Sequence, residues 1–224
     1  MKGKIKAVVF DLDNVLANSL HIYNPLLKKV LEKFGAKTSI STMMQFTGVR
    51  IEHIYEIVLK ENGIPCDKKT VREMLKLTYK IFLKEVKKVR PVKGAKEFVS
   101  FVKKAGLKIA IATGAPEKMA KAVLENSRLH MHFKILVSGD HVKKAKPHPD
   151  IYLLAAKKLG VKPSECIAIE DGSNGAKSAK AAGMLVFGFK NPKSGKQDLS
   201  MADFRFSDYR QAKKLMADAL TNKV

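Results

Sequence analysis

The feature that most constrains this chain is a repeated alternation. Short apolar runs rich in β-branched residues are separated by amphipathic stretches of helical length. The runs fall at residues 4–10 (KIKAVVF), 107–112, 134–138, 166–170 and 185–189, with 203–206 at an edge. The helical stretches fall at 94–105, 116–127, 149–160 and 173–182, and 208–221 closes the chain. This order predicts an α/β fold with a Rossmann-like parallel sheet. Ligands bind such sheets beyond the carboxyl ends of the strands.

Residues 16–86 break the alternation. They read as helix over 20–34, 39–46, 50–62 and 67–88, with turns at Gly35, Gly48 and Asn62-Gly63-Ile64-Pro65. Nothing in the block reads as a strand. The expected organisation is an α/β core of residues 1–15 and 87–224, with residues 16–86 as an inserted α-helical cap. An insertion directly after the first strand lies over the carboxyl edge of the sheet, where a lid would sit.

The chemistry collects at the same edge. The first strand runs into Asp11-Leu12-Asp13-Asn14 and the second into Thr113-Gly114. Lys146-Pro147-His148-Pro149 follows the third, and Glu170-Asp171-Gly172 ends the fourth. Each piece alone has an ordinary structural explanation: aspartate and threonine cap helices, and Lys-Pro is common in loops. All four in register with predicted strands point to function instead. Phosphoryl transfer needs an in-line nucleophile, a cation against the phosphate oxygens and donors aimed at the transferring group. A carboxylate can be that nucleophile. A second, brought close by a sharp turn, can serve as general acid and then base. Hard oxygen ligands suit Mg²⁺.

These signatures resemble those of the haloacid dehalogenase superfamily, in its phosphatase branch, over essentially the whole chain. The similarity is densest from Val137 to Met184, through SGD, KPHPDIYLLAAKKLG and IEDGSNGAKSAKAAG. The resemblance implies that Asp11 is nucleophile and magnesium ligand. It implies that Asp13 is general acid/base, with its backbone carbonyl on the metal. Thr113, the Gly114 N–H and Lys146 would hold the phosphate. Asp171 would ligate Mg²⁺, with Glu170 in or near that shell. The expected activity is Mg²⁺-dependent hydrolysis of a small phosphorylated metabolite, a sugar phosphate or phosphoglycolate-like ester, through an aspartyl-phosphate. A β-phosphoglucomutase-like phosphomutase is the alternative. A dehalogenase is disfavoured, because Asp13 supplies a leaving-group acid that carbon–halogen cleavage does not need. Three positions depart from the pattern: Asn14 replaces a frequent glycine, Gly172 a frequent serine, and Asn18 a carboxylate found in many sugar-phosphate members.

Within the cap, Thr47-Gly48-Val49-Arg50-Ile51-Glu52-His53 resembles the substrate loop of sugar-phosphate phosphatases, and Arg50 is expected to reach into the cleft. His21, Tyr23, His53 and Tyr55 are further candidates to line it.

Composition narrows the partners. The chain has 224 residues and a formal net charge of +22. Its basic pairs, such as Lys103-Lys104 and Lys213-Lys214, recur where solvated helix faces are expected rather than in one stripe. A basic surface that attracts anionic substrates is therefore favoured over a non-catalytic nucleic-acid-binding module. No apolar run approaches the roughly 18 residues of a membrane span, and the apolar stretch after the basic start is too short for a signal peptide. A cytoplasmic location and a monomer are expected. Cys66 and Cys166 match no metal-ligand spacing, and Cys166 opens an apolar strand as a small core residue.

Overall fold

The computed structural model describes residues 4–46 and 48–221, so Thr47 of the expected cap loop lies outside the described residues. The chain opens with β1 (Ala7–Phe10) and the two-residue β2 (Ala17–Asn18). Four helices follow: α1 (Leu20–Lys33), α2 (Ile40–Gln45), α3 (Ile51–Glu61) and α4 (Lys68–Glu85). A short β3 (Arg90–Pro91) leads to α5 (Ala95–Lys104), β4 (Lys108–Ala112), α6 (Glu117–Asn126) and β5 (Leu136–Val137). Then come α7 (Asp150–Leu159), β6 (Cys166–Glu170), α8 (Ser173–Ala181), β7 (Leu185–Phe189), β8 (Phe204–Phe206) and α9 (Tyr209–Leu220).

Six strands form one parallel sheet in the order β5-β4-β1-β6-β7-β8. β1 and β6 are buried at every position, which is why they read as continuous apolar runs. Helices cover both faces. One apolar layer, including Phe10, Phe98 and Met216, joins α5, α6 and α9 to the sheet and continues into α1–α4. The other, including Val9, Tyr152 and Ala179, holds α7 and α8 against the opposite face.

One expectation is corrected. The segment after residue 16 does contain a strand, because β2 pairs antiparallel with β3, with Ala17 opposite Pro91 and Asn18 opposite Arg90. Two residues carry too little pattern to be read as a strand. The pairing ties together the two chain crossings between the sheet and the helical block. The predicted run 134–138 shortens to Leu136–Val137, an edge strand held on one side only.

Helix ends follow their local chemistry. Ser39 caps α2 by accepting from the Thr42 N–H, and Asp67 caps α4 by accepting from Thr70. Asp208 accepts from Arg210 and Gln211 at the start of α9. Among the described residues, no helix is long and apolar enough to cross a membrane.

Candidate active site

Strand register builds the site. Phe10 is level with Ile111 of β4 and Ile169 of β6. The next residues along the three strands are therefore Asp11, Ala112-Thr113 and Glu170-Asp171, all leaving the same edge. The Asp11 N–H donates to the Ile169 carbonyl at 2.9 Å, extending the ladder by one rung.

Beyond Asp11 the chain turns sharply. The Asn14 N–H donates to the Ala17 carbonyl at 2.6 Å, and the Leu16 and Ala17 N–H groups both reach the Leu12 carbonyl. Asn14 takes φ 56°, the left-handed region that asparagine tolerates better than most residues. Its amide donates to the Ser194 hydroxyl, and its carbonyl accepts from Asn191. The turn brings Asp13 back toward the cleft, where its carboxylate accepts hydroxyl hydrogen bonds from Ser19 and Thr113. Burial pushes the Asp13 carboxyl up, against the lowering effect of these two donors. Such a carboxyl holds a proton where an exposed aspartate would have lost it.

Lys146 arrives from the loop after β5 and is buried to 3% exposure. Its ammonium donates to Asp11 Oδ1 at 2.7 Å, Glu170 Oε1 at 2.6 Å and the Ala112 carbonyl at 3.1 Å. Burial opposes its charge, yet Asp11 and Glu170 hold its pKa above the usual lysine range. Tyr152, on α7, donates its hydroxyl to Glu170 Oε1 at 2.5 Å, and its ring lies 5.2 Å from the ammonium. On α8, a Cβ at Gly175 would collide with the Glu170 carboxylate, so only glycine leaves that space.

Asp11, Glu170 and Asp171 each offer a carboxylate oxygen, all within 4.8 Å of one another. Burial, then the neighbouring Glu170 charge, pushes the Asp171 carboxyl up to about 8. The Ser194 hydroxyl donates to it. Buried carboxylates outnumber the one buried ammonium among them. An all-oxygen donor set with surplus negative charge fits a small hard dication. The Asp13 side chain stands outside this group, turned to Ser19 and Thr113.

The helical block closes over these residues. A cavity with about 60 Å³ of water-accessible space is lined by Asp11, Asp13, Gly114 and Asp171 below, and by Tyr23, Phe46 and Ile54 among others above. Arg50 is not among its lining residues. Its guanidinium instead donates to the Val142 carbonyl at 3.4 Å and lies 3.7 Å from Glu52, while its aliphatic Cγ lies beside Gly139. His53 pairs with Glu56 at 2.9 Å on the surface, and Tyr55 is buried against Thr78. Neither lines the cavity, nor does His21. Tyr23 does, and burial keeps its phenol protonated, with the nearby Asp13 and Asp11 charges acting the same way.

Sequence reasoning missed Ser19, Tyr152, Gly175, Asn191 and Ser194. Tyr152 carried a signal, since its turn of α7 is apolar and places a hydroxyl-bearing ring on the buried face. Ser194 carried none, lying 23 residues from the aspartate it contacts.

Comparison with known proteins agrees with this geometry. The haloacid dehalogenase-like hydrolase family profile matches residues 5–183. A phosphorylated carbohydrates phosphatase of Thermotoga maritima is 32% identical over 184 residues, spanning 80% of this chain and 82% of that protein. Hexitol phosphatase B of Escherichia coli is 31% identical, spanning 81% and 82%. The crystal structure of a β-phosphoglucomutase from Clostridium difficile superposes with a TM-score of 0.88 at 22% identity, over 98% of each chain, and so shares the fold. The chain belongs to the haloacid dehalogenase-like hydrolases. It is an enzyme of the phosphatase kind, as its relatives are.

Proposed function

We propose that this enzyme hydrolyses the phosphomonoester of a small metabolite through an aspartyl-phosphate on Asp11, and that it requires Mg²⁺. One observation carries the reading. The Asp11 carboxylate, paired with the Lys146 ammonium at 2.7 Å, faces the same cavity as the Asp13 carboxyl, which no cation touches among the described residues and which two hydroxyls hold in place.

In the first step a free carboxylate oxygen of Asp11 attacks phosphorus and the ester P–O bond breaks. Asp13 gives its proton to the departing alkoxide, so the leaving group departs as a neutral alcohol. In the second step Asp13 takes a proton from water, and the water oxygen attacks phosphorus. Inorganic phosphate leaves and Asp11 is restored. Lys146 neutralises charge at the nucleophile, while the Thr113 hydroxyl, once released from Asp13, and the Gly114 N–H would donate to phosphoryl oxygens. Bound Mg²⁺, held by Asp11, Asp171 and the Asp13 carbonyl with Glu170 nearby, would offset the negative charge of the phosphoryl group against these carboxylates.

Residues 16–86 act as the cap over a core of residues 1–15 and 87–224. The Gly48 loop of the helical block lies against Gly114 of the core, so that cap movement would open the cleft to substrate and closure would exclude water. The same enclosure is what a phosphomutase would need. Inorganic phosphate released in excess over any isomerised ester decides for hydrolysis.

The test is phosphate release by purified protein with Mg²⁺ from a panel of sugar phosphates, phosphoglycolate and nucleotides. Asp11→Asn is expected to abolish turnover with the fold intact. Turnover by that variant at the wild-type rate would overturn the covalent mechanism.

A further inference from the structure

On α1, Leu20, Tyr23 and Leu27 recur at helical spacing and turn toward the catalytic carboxylates. The Tyr23 ring is stacked on Phe82 of α4, with centroids 5.1 Å apart and planes 21° from parallel. That contact fixes where its oxygen points. Tyr23 is only 5% exposed, and among the described residues its hydroxyl has no hydrogen-bond partner. Buried hydroxyls are nearly always paired, so an unpaired one facing a reaction cavity marks where a ligand atom belongs.

On the helical side the cavity wall is mostly hydrocarbon, with Leu20, Leu27, Met43, Phe46, Ile51 and Ile54 among its residues. Apart from Tyr23, Asn24 is the one polar side chain that α1 adds. Among the described residues, no lysine or arginine lines the cavity on the helical side. A sugar in this space would bury several hydroxyls against carbon, each losing its bonds to water without replacement. A second phosphate or a carboxylate would be buried without a counter-charge.

We propose that the pocket selects a short, sparsely hydroxylated alkyl phosphate, and that the Tyr23 hydroxyl donates one hydrogen bond to the single oxygen function of its leaving group. This rests on the phosphatase reading above and narrows its substrate class. Tyr23 is then a specificity residue: it touches the leaving group and takes no part in bond making.

The test measures kcat/KM of the Mg²⁺-supplied wild-type enzyme on n-propyl phosphate, 3-hydroxypropyl phosphate, glycerol 1-phosphate and glucose 6-phosphate, with p-nitrophenyl phosphate as reference. The 3-hydroxypropyl ester is expected to lead, exceeding glucose 6-phosphate by about tenfold or more. In Tyr23→Phe the ratio of 3-hydroxypropyl to n-propyl ester should fall by about tenfold, the worth of one well-made hydrogen bond. A general structural defect would lower both esters together and leave the ratio in place. Preference for glucose 6-phosphate, or a ratio untouched by Tyr23→Phe, would overturn the assignment. If p-nitrophenyl phosphate is cleaved and no alkyl ester is, the pocket assignment fails while the phosphatase reading stands. If no ester is cleaved at all, both fail.

Discussion

The carbonyl oxygen of Gly48, between α2 and α3, lies 2.7 Å from where a Cβ on Gly114 would stand. Side-chain carbons do not approach backbone oxygen that closely, so the helical block closes on the core only because residue 114 is glycine. Gly114→Ala should therefore hold the cap ajar. We expect kcat/KM for an alkyl phosphate to drop by about tenfold or more, and that for p-nitrophenyl phosphate by much less, since an easy leaving group depends less on closure. Steady-state kinetics on the two esters, with a thermal melt to confirm folding, check this. Equal losses would place the effect on phosphate binding.

Arg50 approaches the core at the same seam, through the Val142 carbonyl and the backbone of Gly139. The sequence suggested that its charge enters the cleft, but the side chain runs along the seam instead. Arg50→Ala is expected to lower kcat/KM a few-fold for every alkyl ester alike, because it loosens closure without touching the leaving group. A changed ranking among esters would return Arg50 to the substrate.

Raised carboxyl pKa values predict how stability depends on pH. In the unfolded chain Asp171 titrates near 3.8, and in the fold it is pushed up to about 8. Between these values the folded state holds a proton that the unfolded state has lost, so stability falls as pH rises. Asp11 and Asp13, also raised, act in the same direction. Protein freed of metal with EDTA should thus show a Tm that declines from about pH 5 to 8. Mg²⁺ should raise Tm more at pH 8 than at pH 5, because binding needs the carboxylates ionised. A flat profile in both conditions would contradict the surplus of buried negative charge.

Tyr152 supports the Lys146–Glu170 pair from beneath. Tyr152→Phe removes a hydroxyl from a buried carboxylate and should cost about 1.5–3 kcal/mol of stability, the range for hydrogen bonds to charged groups. Urea denaturation of the two proteins measures it as a lower midpoint with an unchanged slope. A shift below about 0.5 kcal/mol would mean that Lys146 and the Gly172 N–H satisfy Glu170 without the phenol.

Asp11, Asp13, Thr113, Glu170 and Asp171 were legible in the sequence because each sits at or just past the end of a recognisable strand, and Lys146 through the Lys-Pro-His-Pro run that leads into α7. Strand period, helix period and chain order then placed them at one sheet edge. The same logic located the helical insertion, since four amphipathic helices interrupt the alternation. What the sequence could not hold was anything decided by two distant segments meeting. Ser194 reaches Asp171 across a loop, and Tyr152 reaches Glu170 from a helix on the sheet's other layer. The β2–β3 ribbon joins residues more than seventy positions apart. Arg50 and Tyr23 make the point most sharply. Tyr23 lies on α1 and Arg50 just before α3, and the glycine turn with the resemblance to a substrate loop gave Arg50 the stronger claim to the cleft. Only the packing of α1 against α4, and of the Gly48 loop against Gly114, turned the phenol inward and the guanidinium along the seam, because close-packed side chains leave each helix one rotation that buries its apolar face.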